Sequence, residues 1–144
     1  MTQTAQRVPT RHRTLRVPHT PAAVAGTRRA VVNDLRGIAV SSDVVDEVGL
    51  VLSELLGNAV RHASALPDGR VRVRWQVKAG VVELDVTDGG GRTRPVSREP
   101  APFATSGRGL RIVRTLAHEW GVLDDDGART VWVTLGGPSR RRLR

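Results

Sequence analysis

A carboxylate, a carboxamide and a guanidinium stand at helical spacing in Leu52-Ser53-Glu54-Leu55-Leu56-Gly57-Asn58-Ala59-Val60-Arg61-His62-Ala63. Residues three and four apart share a helix face. Glu54, Asn58 and Arg61 therefore form one stripe, beside an apolar stripe of Val44, Val48, Val51, Leu55 and Ala59. The polar stripe falls at the rim of the core, where a base, a metal contact and a phosphate contact could act together. On this helix alone, a solvated Glu and a rim Asn bonded to a nearby loop explain the pattern more simply. The segments downstream change that balance.

Two further groups stand in order along the chain: Asp88-Gly89-Gly90-Gly91 at the end of a strand, and Gly107-Arg108-Gly109-Leu110 at the start of a helix. With the first stripe, each has a physical role in holding a nucleotide. An Asn oxygen is a hard, neutral ligand suited to magnesium that already carries phosphates and waters. A carboxylate one turn away can polarise an attacking hydroxyl. An aspartate at a strand end can accept from the adenine amino group, with glycines beside it allowing close backbone approach. A Gly-x-Gly at a helix start offers free amides to anionic oxygens. Singly, Asp-Gly-Gly-Gly reads as a turn and Gly-Arg-Gly as a hinge. Other chemistries are excluded: Lys78 is followed by Ala79, so there is no P-loop, and the third glycine of a dinucleotide fingerprint is missing after Gly109. His12, His19, His62 and His118 lack zinc-ligand spacing, and no Gly-x-Ser-x-Gly elbow occurs.

These groups need elements to position them. Thr14–Val17 reads as a short edge strand ending at Pro18, and a first helix opens near Thr20-Pro21 with a threonine cap and runs to about Gly37. The second helix is expected from Asp43 to about Ala63 with Ser42 as its cap. The period then changes to two. Val71, Val73, Trp75 and Val77 alternate with polar residues, and a turn at Ala79-Gly80 pairs Val77 with Val82, Trp75 with Leu84, Val73 with Val86, and Arg74 with Asp85. A Gly-, Pro- and Arg-rich stretch from Asp88 to about Ser106 is too long for a turn and is a candidate lid. A helix from Gly109 to His118 follows, then strands Trp120–Leu123 and Thr130–Leu135 joined by Asp124-Asp125-Asp126-Gly127. Helices followed by mostly antiparallel strands predict an α+β two-layer sandwich.

Composition bounds the partners. The chain has 144 residues, one domain's length, and its division is expected as a disordered basic lead over 1–12, a folded domain over 13–136 and a basic tail over 137–144. The net charge of +9 suggests nucleic acid until its distribution is followed. Ten arginines lie outside residues 30–136, whereas all 14 acidic residues lie inside, so the centre is near neutral. Arginine ends can touch phosphate backbones, but Phe103 is the only Phe and Tyr is absent, so base stacking has little to work with. Direct, sequence-specific nucleic-acid binding is not expected. The absence of cysteine, of an apolar leader and of a run of about 18 apolar residues fits a cytoplasmic protein with no membrane span.

Taken together, the three groups resemble the ATP-binding fold of gyrase, Hsp90, histidine kinases and MutL, the GHKL or Bergerat type. Within it they are most similar to the anti-sigma-factor serine/threonine kinases of the RsbW and SpoIIAB kind. The resemblance spans residues 14 to 136. Ser53–Ala63 is similar to that family's N-box, Val86–Gly91 to its first glycine box, and Gly107–Val113 with Trp120-Gly121-Val122 to its second box and the strand after it. The resemblance implies ATP and Mg2+ as cofactors, Glu54 as general base, Asn58 as magnesium ligand and Asp88 as adenine contact. It also implies Arg61 near the phosphates, Gly107 and Gly109 at the end of the ATP lid, and Thr130 near the adenine and the aspartate. Gly90, Arg108 and Leu110 stand in the same boxes and are counted with the nucleotide contacts. The pattern departs from the family's at Arg92, where a glycine is common, and at Gly57, where a threonine is common. The implied function is a homodimeric kinase that phosphorylates a STAS-type anti-anti-sigma protein and sequesters a sigma factor. A nucleotide-responsive binding module without kinase activity is the alternative.

Overall fold

Alternating apolar residues build the sheet, and one long apolar helix covers it. The computed structural model describes residues 11–38, 40–91 and 107–137, and gives the order β1 (Arg11–Pro18), α1 (Ala22–Arg36), α2 (Ser42–His62), β2 (Arg70–Lys78), β3 (Val81–Asp88), α3 (Gly107–Leu116), β4 (Glu119–Asp125) and β5 (Ala128–Leu135). The five strands form a single sheet in the order β1-β2-β3-β5-β4, with every neighbouring pair antiparallel. The fold is thus the expected α+β sandwich, and its sheet, expected as mixed and mostly antiparallel, is antiparallel throughout the described residues. The candidate lid, at residues 92–106, lies outside the described residues, as do residues 1–10 and 138–144 of the two ends. β1 begins at Arg11, two residues inside the stretch read as a lead.

The hairpin register is the one the alternation demands. Val77 faces Val82, Trp75 faces Leu84, Val73 faces Val86, and Arg74 faces Asp85 at 3.6 Å between charged atoms. A slip by one residue would move Val71, Val73, Trp75 and Val77, all buried, to the solvent face. The turn takes positive φ at both Ala79 (51°) and Gly80 (78°), the twist that suits a two-residue hairpin.

α2 carries five valines, residues with poor intrinsic helix propensity. Packing overrides propensity because the helix touches α1, α3, β3 and β5 at once. Val44, Val45, Val48, Val51, Leu52, Leu55, Leu56 and Ala59 are buried, and each of the larger side chains contributes about 1.5–3 kcal/mol. Its cap is Ser41, not Ser42: the Ser41 hydroxyl accepts from the Val44 N–H at 3.3 Å, and Ser42 is already helical. α1 likewise starts after Pro21 with no side-chain cap, so Thr20 contributes only its carbonyl, which accepts from Ala23 N at 3.1 Å. Asp34 of α1 ties the helix to the sheet, accepting from the Trp75 indole N–H and from Arg13, each at 2.8 Å. Among the described residues, no helix is long and apolar enough to cross a membrane.

Candidate functional site

The C-terminal half of α2 meets the end of β3, and a cavity of about 100 Å³ lies between them. Leu55, Asn58, Ala59, His62 and Ala63 form the helical wall, a run at spacings of three and four. Val86 and Asp88 of β3, Gly91, Leu110 of α3, and Val122, Arg129 and Val131 of β4 and β5 complete it. A wider surface hollow, about 580 Å³, adjoins it and shares Gly91 and Arg129.

Backbone bonds hold the two walls together. Gly89 N–H donates to Ser64 O at 2.7 Å, Ser64 N–H donates to Gly90 O at 2.8 Å, and Ala63 bridges to Gly91. The approach requires glycine at 89, since a Cβ there would sit 2.1 Å from the Ala65 carbonyl oxygen. Gly90 has φ 84°, a conformation side chains rarely adopt. Gly89→Ala is therefore expected to lower stability by about 1–3 kcal/mol or more, read as a fall in the denaturant midpoint. An unchanged midpoint would show that the two segments move apart at no cost.

Asp88 is 7% exposed, and its Oδ1 accepts from the Gly90 N–H at 2.7 Å. Burial pushes its carboxyl up to about 6, against the opposing pull of that N–H, of Arg129 and of His19. At neutral pH this is an ionised acceptor held at the wall of an otherwise mostly apolar cavity. Such a carboxylate suits a ligand that brings an N–H donor.

The other expected residues divide. Asn58 lines the cavity, and its Oδ1 accepts from the exposed Arg61 Nη2 at 3.3 Å. Leu110 is buried in the wall, and Gly90 fixes Asp88. Gly107, Arg108 and Gly109 open α3, as the glycine pattern predicted, and their side chains lie outside the described residues. Glu54 is half-buried one turn before Asn58 and is not part of the cavity lining. Thr130 is not brought to the cavity. Its register partner is Thr87, the two hydroxyls lie 2.7 Å apart, and both face away from α2, whereas Asp88 pairs with Arg129.

Three residues escaped the sequence reading. Arg129 lines the cavity beside Asp88. The signal for it was present: Val131, Val133 and Leu135 face the core, so period two turns Thr130 outward and Arg129 inward. His62 follows Asn58 at i+4 and so had to share its face. His19 lies with Nε2 2.9 Å from both Ala59 O and Ala63 O, so that nitrogen carries the proton and donates into the last turn of α2. No sequence pattern announces that contact.

Among solved structures, the RsbU and RsbW domains of a Mycobacterium tuberculosis protein are similar at 23% identity and a TM-score of 0.68, over 92% of this chain and 34% of that one. A blue-light activated histidine kinase of Erythrobacter litoralis is similar at 21% identity and a TM-score of 0.53, over 82% of this chain and 42% of that one. The chain thus spans less than half the length of either, and at these identities the likeness is one of fold. Comparison with curated protein sequences finds no match. The family described as the histidine kinase-like ATPase domain matches residues 17–135, from β1 to the end of β5, and the chain belongs to that family.

Proposed function

We propose that this ATPase-type domain binds ATP with Mg2+ in the α2–β3 cavity and acts as a serine/threonine kinase on a STAS-type anti-anti-sigma protein, while sequestering a sigma factor as a homodimer in the cytoplasm. The observation that carries the reading is the pairing of a buried, ionisable Asp88 with Asn58 on opposite walls of one cavity. Asp88 takes the adenine amino group, and Leu55, Ala59, Val86, Leu110 and Val131 give the base its apolar bed. Gly107–Leu110 presents the opening amides of α3 to the phosphates.

The residues fit a shared metal rather than a protein-only one. Among the described residues no cluster of three or more His, Asp or Glu could hold an ion. Asn58 already presents its oxygen to one cation, the Arg61 guanidinium. That oxygen would complete a magnesium ion otherwise held by phosphates and waters, and the ion would neutralise charge on the transferring phosphoryl group. Glu54, four residues before Asn58, would accept the proton of the substrate hydroxyl.

Its position outside the cavity lining favours one alternative, a nucleotide-responsive binding module without transfer chemistry. Labelled ATP with magnesium and a purified STAS-domain protein separates the two. Transfer of label to a serine or threonine is the expected result. ATP binding with no transfer would leave the module, and no ATP binding by calorimetry would end both readings.

A further inference from the structure

Arg61 folds back along α2 instead of standing away from it. Its Nη2 donates to Asn58 Oδ1 at 3.3 Å, and its guanidinium lies over Gly57, where a Cβ would sit 3.0 Å from Nη1, 3.3 Å from Nη2 and 3.5 Å from Cζ. Helical side chains lean toward the N-terminus, so positions 57 and 58, one turn back, are the ones that a residue at 61 covers. Glycine weakens a helix interior. Here it clears the place that the guanidinium takes, because even a methyl group at 57 would press on it.

Asn58 is the residue that offers its oxygen to magnesium in the nucleotide reading above, and the inference rests on that reading. A guanidinium and a magnesium ion on one carboxamide oxygen would bring two like charges close together. Both would also seek the same phosphate oxygens, the guanidinium through its fork of N–H donors and the ion by coordination. We infer that Arg61 stands in for the metal. It neutralises the nucleotide phosphates when magnesium is absent and competes with magnesium for Asn58 when it is present, so the two cations are negatively coupled. Gly57 is the positioning residue that lets the guanidinium lie there.

The sign of the coupling follows from the shared oxygen. Loss of the guanidinium takes more from the metal-free complex, where it carries the charge neutralisation alone, than from the complex in which the phosphate charge is already met. It also leaves Asn58 open to the ion. Both effects enlarge the gain in affinity that magnesium brings. A guanidinium that touched phosphates without sharing Asn58 or the metal's phosphate oxygens would lower both affinities alike, and one that only packed on the helix would change neither.

Calorimetric titration of the full chain with ATP, once with magnesium and once in EDTA, tests this, and the quantity read is the ratio of the two affinities. The wild type is expected to bind ATP in EDTA within about tenfold of its affinity with magnesium. Arg61→Met, which keeps the stem and removes the charge and the donors, is expected to raise that ratio about threefold or more. Arg61→Lys should bring it part of the way back, because the charge is kept. Gly57→Val should raise the ratio in the wild-type background and leave it unchanged in the Arg61→Met background, a dependence that a purely structural effect of the valine would not show. A melting curve for each variant verifies folding. Wild-type binding that weakens more than tenfold in EDTA would overturn the inference and leave the ATP reading intact. So would a smaller rise, or a fall, in the ratio on Arg61→Met. A Gly57→Val effect that is absent, or that persists without Arg61, would overturn the role of Gly57. Failure of ATP to bind under both conditions would instead remove the nucleotide reading itself, and this inference with it.

Discussion

Glu54→Gln is expected to retain ATP and to slow phosphoryl transfer by roughly 10²- to 10⁴-fold, the range for loss of a positioned general base. Glu54 shares its helix stripe with Asn58 and Arg61, and sits half-buried one turn before Asn58. The amide is nearly isosteric with the acid, so packing on α2 is kept while proton acceptance is lost. Two measurements are needed: calorimetric ATP affinity, which should stay within a few-fold of wild type, and the rate of label transfer to a STAS substrate. Equal transfer rates in wild type and variant would remove Glu54 from the chemistry. The half-buried carboxylate would then be a rim residue of the helix and no more.

Asp88→Asn should act in opposite directions on binding and on stability. Oδ1 is held by the Gly90 N–H, so the second oxygen is the one left for a ligand. In the variant that place is taken by an NH2 group, which would confront the adenine amino group donor to donor. Loss of a hydrogen bond to a charged group costs about 1.5–3 kcal/mol, roughly ten- to hundredfold in affinity. Stability follows from the raised carboxyl. The folded chain holds this proton up to about pH 6, whereas the unfolded chain releases it near 3.8. Stability from this group is therefore full below pH 3.8 and is lost as pH rises to about 6. A shift of this size amounts to roughly 3 kcal/mol at neutral pH. The ligand-free Asp88→Asn protein is thus expected to melt higher than wild type at pH 7.5, with the difference shrinking toward pH 4. Wild-type ATP affinity should also fall as pH drops through about 6, because the protonated carboxyl loses its charge. A variant that binds ATP as well as wild type at pH 7.5 would sink the adenine contact. A variant less stable at both pH values would show that burial does not strain this carboxylate.

The sheet and the helices were legible where the governing interactions are local. Val71–Val77 and Val82–Val86 are joined by a two-residue turn, so their alternation sets the register without help from the rest of the chain. Helix starts were legible only to within one or two residues, α3 opening at Gly107 where Gly109 was expected. Ser41 and Ser42 are adjacent and chemically alike, and which one caps depends on the φ and ψ the chain adopts on entering α2, 150° in ψ at Ser41. Thr130, expected near adenine, lies on the face turned away from α2, as the alternation of Val131, Val133 and Leu135 already implied. One residue of register in a strand is the other face, so parity decides which of two adjacent residues lines the cavity.

The sequence by itself determined the parts of the site: a polar stripe on α2 carrying Asn58, an aspartate among glycines at the end of β3, and a glycine pattern that opens α3. It did so because spacing along a helix or strand dictates which side chains share a face. Only the tertiary structure decided which groups meet. β3 and β5 pair across some forty residues of intervening chain, so no turn fixes that Arg129, tethered to Asp124, stands beside Asp88. His19 reaches the last turn of α2 from the end of β1 in the same way. The burial that lifts Asp88 to about 6 also belongs to packing, since its environment is built by α2, α3 and the neighbouring strands rather than by its neighbours in sequence.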